Sequence, residues 1–159
     1  SQIVILISFL LFNFPKAKMF LGDSGSYLFG SLVALNTIIT NNLNTNISSF
    51  FFCILLFYLF FEVFFSFIRK SYQKKSPILP DNKHMHMLSY KLIKRIFSVE
   101  NSNHINSIVI NLVYFVLIFP SVYFVSNSLL CKYWFFSLIL IYIVIYFRLY
   151  HLTKNQFDI

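Results

Sequence analysis

Charge is what this sequence lacks most. Of its 159 residues only 11% are charged, where a soluble domain carries about a quarter. The five acids, Asp23, Glu62, Asp81, Glu100 and Asp158, are scattered, and no two are adjacent. So little charge excludes an ordinary soluble domain. Cysteine is also scarce: Cys53 lies inside one apolar run and Cys131 begins another, which argues against a disulfide scaffold. The opening residues have neither a basic n-region nor a small-residue cleavage site, so no signal peptide is expected in them. The basic residues have no soluble, aromatic-rich platform around them. The net charge of +8 therefore bears on membrane topology, and no nucleic-acid partner is expected.

What the chain has in abundance is apolar surface. It is 58% hydrophobic, with 22 Phe and 10 Tyr gathered into long runs almost free of charge. A helix needs about 20 such residues to cross a hydrocarbon core about 30 Å thick. The runs predict an all-α fold, a polytopic transmembrane helix bundle of four to five spans in a single domain over 1–159. The spans fall at about 3–14, 25–40, 47–68, 105–125 and 133–150. The first is too short to cross the core, at about 1.5 Å per residue. It reads as the end of a longer helix, and the chain reads as the C-terminal part of a larger protein.

The basic residues set the orientation. Loop 13–24, loop 69–105 and the C-terminal tail together hold every Lys and Arg except Lys132, so these segments are expected in the cytoplasm. In the large loop, Pro77 and Pro80 delay helix, and Asp81 is the expected N-cap of a helix running to about Phe97. Met85, Leu88, Leu92 and Ile96 fall at three- and four-residue steps, with Lys91, Lys94 and Arg95 on other faces. That pattern predicts one amphipathic helix at the membrane surface, drawn to anionic lipid.

Three groups of residues could carry chemistry. In Phe20-Leu21-Gly22-Asp23-Ser24-Gly25-Ser26 a loop enters a membrane helix. The glycines permit a close turn, Ser24 or Ser26 can cap the helix, and its N–H groups and dipole favour phosphate. Asp23 adds a hard oxygen of the kind Mg²⁺ takes alongside substrate phosphates. The simpler reading of the same residues is an ordinary capping turn. The second group, Asp81-Asn82-Lys83-His84-Met85-His86, carries two histidines that could meet a phosphate or a base. Zinc would need more ligands than this loop offers, and a solvated pair of histidines is the bland alternative. Glu62, third, stands in an apolar span seven residues before Arg69, on roughly the same helix face, and a structural Glu62–Arg69 pairing is expected.

Together these residues resemble the polyprenyl-phosphate N-acetylhexosamine-1-phosphate transferases of glycosyltransferase family 4. The match runs through Asn13-Phe14-Pro15-Lys16-Ala17-Lys18-Met19 into the Gly22–Ser26 turn. It continues through Phe61-Glu62 and Ser66-Phe67-Ile68-Arg69-Lys70, then through Ser76-Pro77 to Asp81, His84 and His86. The resemblance implies transfer of a sugar-1-phosphate from a UDP-N-acetylhexosamine to a polyprenyl phosphate at the cytoplasmic face of the bacterial inner membrane. That reaction initiates lipid-linked cell-envelope polysaccharide synthesis.

By the same resemblance Asp23 is the catalytic residue and Mg²⁺ ligand, and Mg²⁺ the cofactor. Lys16, Lys18, Ser24, Gly25, Ser26, Arg69, Asp81, His84 and His86 would bind substrate. The partners would be a nucleotide-sugar donor, a polyprenyl phosphate, the membrane and, in the assembly, a second copy as a homodimer. Asn82 and Met87 stand where the family often has Arg and a third His. The family also places an adjacent Asp-Asp pair upstream of this region, so this segment alone is expected to be inactive. The rival reading is a non-catalytic membrane protein, either a transporter subunit or a degenerate remnant of the family. A transporter should show polar or broken helices near the midplane, whereas these runs read as smoothly apolar.

Overall fold

The apolar runs all fold as helix. The computed structural model describes residues 2–14, 18–77, 79–97 and 102–154. The helices are α1 (Gln2–Asn13), α2 (Gly22–Leu43), α3 (Ser49–Leu55), α4 (Phe57–Tyr72), α5 (Met85–Phe97), α6 (Ser102–Ile118) and α7 (Ser128–Thr153), with a 3-10 turn at Phe119–Phe124. The protein is thus all-α, a bundle of membrane helices. Among the described residues, α6 with its 3-10 turn and α7 are each long and apolar enough to cross a membrane, and α3 with α4 adds a third if counted as one bent span. The expected four to five spans included α1, which is too short by this measure, and α2, whose apolar residues are diluted by Ser, Thr and Asn.

The chain forms two compact units, Ser1–Asn44 and Thr45–Ile159. In the first, the Asn13 side chain ties down the start of the connection between α1 and α2. Its Oδ1 accepts the backbone N–H groups of Lys18 and Met19 at 3.1 and 2.9 Å. Gly22 then opens α2 with φ +69°, a left-handed conformation that costs other residues about 1–2 kcal/mol. A Cβ on Gly25 would lie 2.8 Å from the Leu21 side chain. The two glycines that frame Asp23 are therefore both used.

The second unit is built on α3, α4, α5, α6 and α7 around Ile54, Phe57, Phe61, Met85, Leu88, Leu138, Tyr142 and Tyr146. Its helix starts follow local rules. Ser48 accepts from Phe50 N–H at 3.2 Å, and Asn127 Oδ1 accepts from Leu129 and Leu130, both at 3.1 Å. Pro120 has no N–H to continue α6, so the chain tightens to 3-10 there, and the Trp134 indole N–H donates to the Leu117 carbonyl at 3.0 Å.

Two expectations fail in this unit. The run 47–68 was expected as one straight span, but it breaks at Leu56, where α3 and α4 bend by 72°. No proline or glycine marks the break; it is held from α6. The Tyr114 hydroxyl donates to the Leu55 carbonyl at 2.7 Å and accepts from Tyr58 N–H at 3.4 Å. Backbone groups freed at membrane depth need such partners. Asp81 is also not the cap of α5. The helix starts at Met85, with Met87 and Leu88 N–H donating to the His84 carbonyl. Met85, Leu88 and Ile93 are buried, and α5 packs on α6 and α7, while Ile96 at the end of the predicted stripe is 62% exposed.

Tyr114→Phe should leave the Leu55 carbonyl without its donor and destabilise the unit by about 1–3 kcal/mol. Thermal unfolding in detergent should show the loss. An unchanged midpoint would mean the break is held by something else.

Candidate functional site

Helix α4 carries a polar stripe. Glu62, Ser66 and Lys70 recur at four-residue steps, one helical turn apart, and all three are buried. Against this stripe lies the loop that precedes α5. Lys70 Nζ donates to the carbonyls of Pro77 and Leu79 at 3.0 and 2.6 Å, which pins the loop by its backbone. Arg69 Nη2 pairs with Asp81 Oδ2 and also donates to Ser66 Oγ at 3.1 Å. Asp81 Oδ1 accepts from Lys83 N–H at 3.1 Å, a local turn that explains why it is not free to cap α5. Burial alone would raise the Asp81 carboxyl pKa. The Arg69 charge and these hydrogen bonds outweigh it, so the group is held below its ordinary range.

Glu62 is bound differently from the sequence-based expectation. Its partners are His84, Met85 and Tyr142, and Arg69 goes to Asp81 instead. The reason is that the loop brings Asp81 to Arg69 and His84 to Glu62, so each charge on α4 meets a partner from outside its own helix. Oε1 of Glu62 accepts Met85 N–H at 2.9 Å and lies 3.0 Å from His84 Nδ1; Oε2 accepts the Tyr142 hydroxyl at 2.5 Å. The His84 and His86 rings stack nearly parallel, centroids 5.6 Å apart. From α7, Tyr146 donates to the Lys83 carbonyl at 3.0 Å and lies beneath the Arg69 guanidinium, 5.7 Å away. Ser66, Lys70, Asp81 and His84 share the wall of a cleft of about 320 Å³. Nε and Nη1 of Arg69 are buried without a hydrogen-bond partner.

The other candidate residues lie in the first unit. Asp23, Ser24, Gly25 and Ser26 all fall in the first turn and a half of α2. Asp23 and Ser24 are exposed. The expected serine cap is absent: no side chain caps α2, and Ser26 Oγ instead donates back to the Gly22 carbonyl at 2.9 Å. The first-turn N–H groups of α2 are therefore not taken by a cap, and the acid sits among them. Lys18 lies just before this turn, and Lys16 is outside the described residues. The structure thus assembles Arg69, Asp81, His84 and His86 in one unit and Asp23, Ser24, Gly25 and Ser26 in the other.

Sequence reasoning missed Lys70, Ser66, Tyr142 and Tyr146. A signal for the first two was present: Glu62, Ser66 and Lys70 at spacing i, i+4, i+8 in an apolar helix mark one polar face. The tyrosines gave none, because the chain has ten and most are spread through the apolar runs. Among the described residues no three His, Cys, Asp or Glu side chains converge on a metal position. A single exposed carboxylate still fits Mg²⁺, which keeps waters and substrate phosphates as its other ligands.

Residues 2–41 match the sequence model of glycosyl transferase family 4. The chain is 38% identical over 81 residues to the undecaprenyl-phosphate alpha-N-acetylglucosaminyl 1-phosphate transferase of Thermotoga maritima, an alignment covering 51% of this chain and 26% of that protein. It is 51% identical over 39 residues to the phospho-N-acetylmuramoyl-pentapeptide-transferase of Leuconostoc mesenteroides, covering 24% of this chain and 12% of that one. The chain thus spans about a quarter of the first relative's length and about an eighth of the second's. No solved structure matches it. The Gly22–Ser26 turn lies inside the segment that resembles glycosyl transferase family 4, and the helices are those of a multi-pass membrane chain.

Proposed function

We propose that the protein to which this chain belongs transfers a sugar-1-phosphate from a UDP-N-acetylhexosamine to a polyprenyl phosphate, on the cytoplasmic face of the bacterial inner membrane. The product would be a lipid-linked diphosphate sugar, with UMP released, the first step of a cell-envelope polysaccharide. The observation that carries this reading is the Gly22-Asp23-Ser24-Gly25-Ser26 turn. It lies in the family-matched segment and exposes its acid at an uncapped helix start. A lipid acceptor demands a site at the membrane face, and a doubly charged donor demands basic groups around it.

Asp23 would hold Mg²⁺, with first-turn N–H groups of α2 and Ser24 orienting phosphate oxygens beside it. The cation's part is to offset repulsion between the two phosphates as one attacks the other. Lys16, Lys18 and Arg69 would add positive field. His84 and His86 would contact the donor, with Asp81 holding Arg69 in place. The resemblance extends this to a homodimer. Because the chain spans only part of its relatives, the upstream Asp-Asp pair would complete the site.

The broken span α3–α4 is the one feature that favours a transporter reading. Against it, the freed backbone at the break is satisfied by the Tyr114 hydroxyl.

Two outcomes test the proposal. Full-length protein in membranes, given labelled UDP-N-acetylhexosamine, polyprenyl phosphate and Mg²⁺, should form a lipid-linked product. Asp23→Asn should cut turnover by about 10²–10³-fold, and chelation should abolish it. Absence of product with every such donor would refute the assignment.

The second concerns Asp81. A carboxyl whose folded pKa is lowered stabilises the fold above its unfolded pKa of about 3.9, and that stability drains away as pH falls through the lower folded value. Amide exchange over residues 79–84, corrected for intrinsic rates, should be about tenfold faster in Asp81→Asn at neutral pH, as expected for a charged hydrogen bond of ~1.5 kcal/mol. The two proteins should converge below the carboxylate range. A pH-independent gap would contradict the pairing.

A further inference from the structure

Glu62 is an acid in an otherwise apolar stretch, and no role in binding substrate explains it. It is 8% exposed, and every donor that reaches it comes from another element. One carboxylate oxygen serves two consecutive residues, the ring of His84 and the backbone N–H of Met85. The other takes the Tyr142 hydroxyl, whose ring is wedged against Phe61 and Phe65 at 5.0 and 5.4 Å. An acceptor-only carboxylate saturated in this way dictates the chemistry of the imidazole. An Nδ1 without hydrogen would turn its lone pair on the carboxylate oxygen 3.0 Å away, a repulsive contact; an Nδ1 bearing hydrogen makes a charge-assisted bond.

We propose that Glu62 is a positioning residue: it holds His84 in the Nδ1–H form, so that Nε2 is the ring nitrogen offered to a ligand in the cleft beside Lys70 and Asp81. The second nitrogen of a histidine is set by what binds the first. The groups facing this ring are Glu62 and Lys70 from α4, Asp81 from the loop, His86 from α5 and the Tyr142 hydroxyl across the carboxylate. Held this way, His84 accepts a hydrogen bond at Nε2 when neutral and donates one when protonated. A donor diphosphate would use that second state. Only this last step rests on the transferase reading.

The test is nitrogen NMR of the full-length protein, ¹⁵N-labelled at histidine, in lipid nanodiscs. His84→Gln identifies the signal by its loss. Neutral His84 should show the Nδ1–H tautomer in the wild type. Glu62→Gln keeps an acceptor for Met85 N–H and a polar partner for Tyr142, so the strut between helices survives. In it the signal should become a mixture of tautomers. Tyr142→Phe, which leaves the carboxylate on His84 and Met85, should keep the Nδ1–H form.

An Nε2–H tautomer in the wild type overturns the proposal, and that measurement needs no variant to fold. So does a Glu62→Gln protein whose His84 tautomer is unchanged. In the transferase assay, Glu62→Gln should lower kcat by about 10–100-fold, the scale on which a histidine's outer partner acts, with KM for the donor nearly constant. A wild type with no transferase activity would refute the proposed reaction and leave the tautomer result standing.

Discussion

The arrangement around the histidine loop depends on one buried carboxylate. An acid placed in an apolar span costs several kcal/mol unless it is paired and hydrogen-bonded. Glu62 meets that demand by drawing one donor from the loop, one from the first turn of α5 and one from α7. The same bonds that satisfy the acid lock three elements together and fix where His84 sits. The polar face then continues along α4, where Arg69, also bonded to Ser66, holds Asp81 and where Lys70 holds the carbonyls of Pro77 and Leu79. A loop with two prolines is thus held by charge and backbone carbonyls.

The first unit poses a different physical problem. There the chain keeps groups available: two glycines shape a turn, the helix start has no side-chain cap, and Asp23 stays exposed beside the first N–H groups. An uncapped helix start leaves stability unrealised by about 1 kcal/mol, a cost that makes sense where a phosphate takes the cap's place. The histidine loop is thus tied down by its charged and polar contacts, and the start of α2 is left open.

Much of this was legible in the residues. The apolar runs gave the helices, and the Gly22–Ser26 turn and the histidine pair pointed to the site, because these signals are local. What stayed hidden depends on partners distant in sequence. The break at Leu56 has no proline or glycine; its cause is a hydroxyl 58 residues away, on Tyr114. The Glu62–Arg69 pairing suggested by helix spacing gave way because loop residues offered both charges better partners. Asp81 looked like a cap until Arg69 claimed it. Tyr142 could not be singled out from the other tyrosines without its neighbours.

The proposed transfer reaction requires that the acid at the start of α2 and the histidines at the start of α5 act on one bound diphosphate. Paramagnetic Mn²⁺, substituted for Mg²⁺ in the full-length protein with a UDP-N-acetylhexosamine present, tests this directly. The account predicts strong broadening of the His84 and His86 resonances, abolished in Asp23→Asn. Sharp histidine signals with Mn²⁺ demonstrably bound at Asp23 would contradict it.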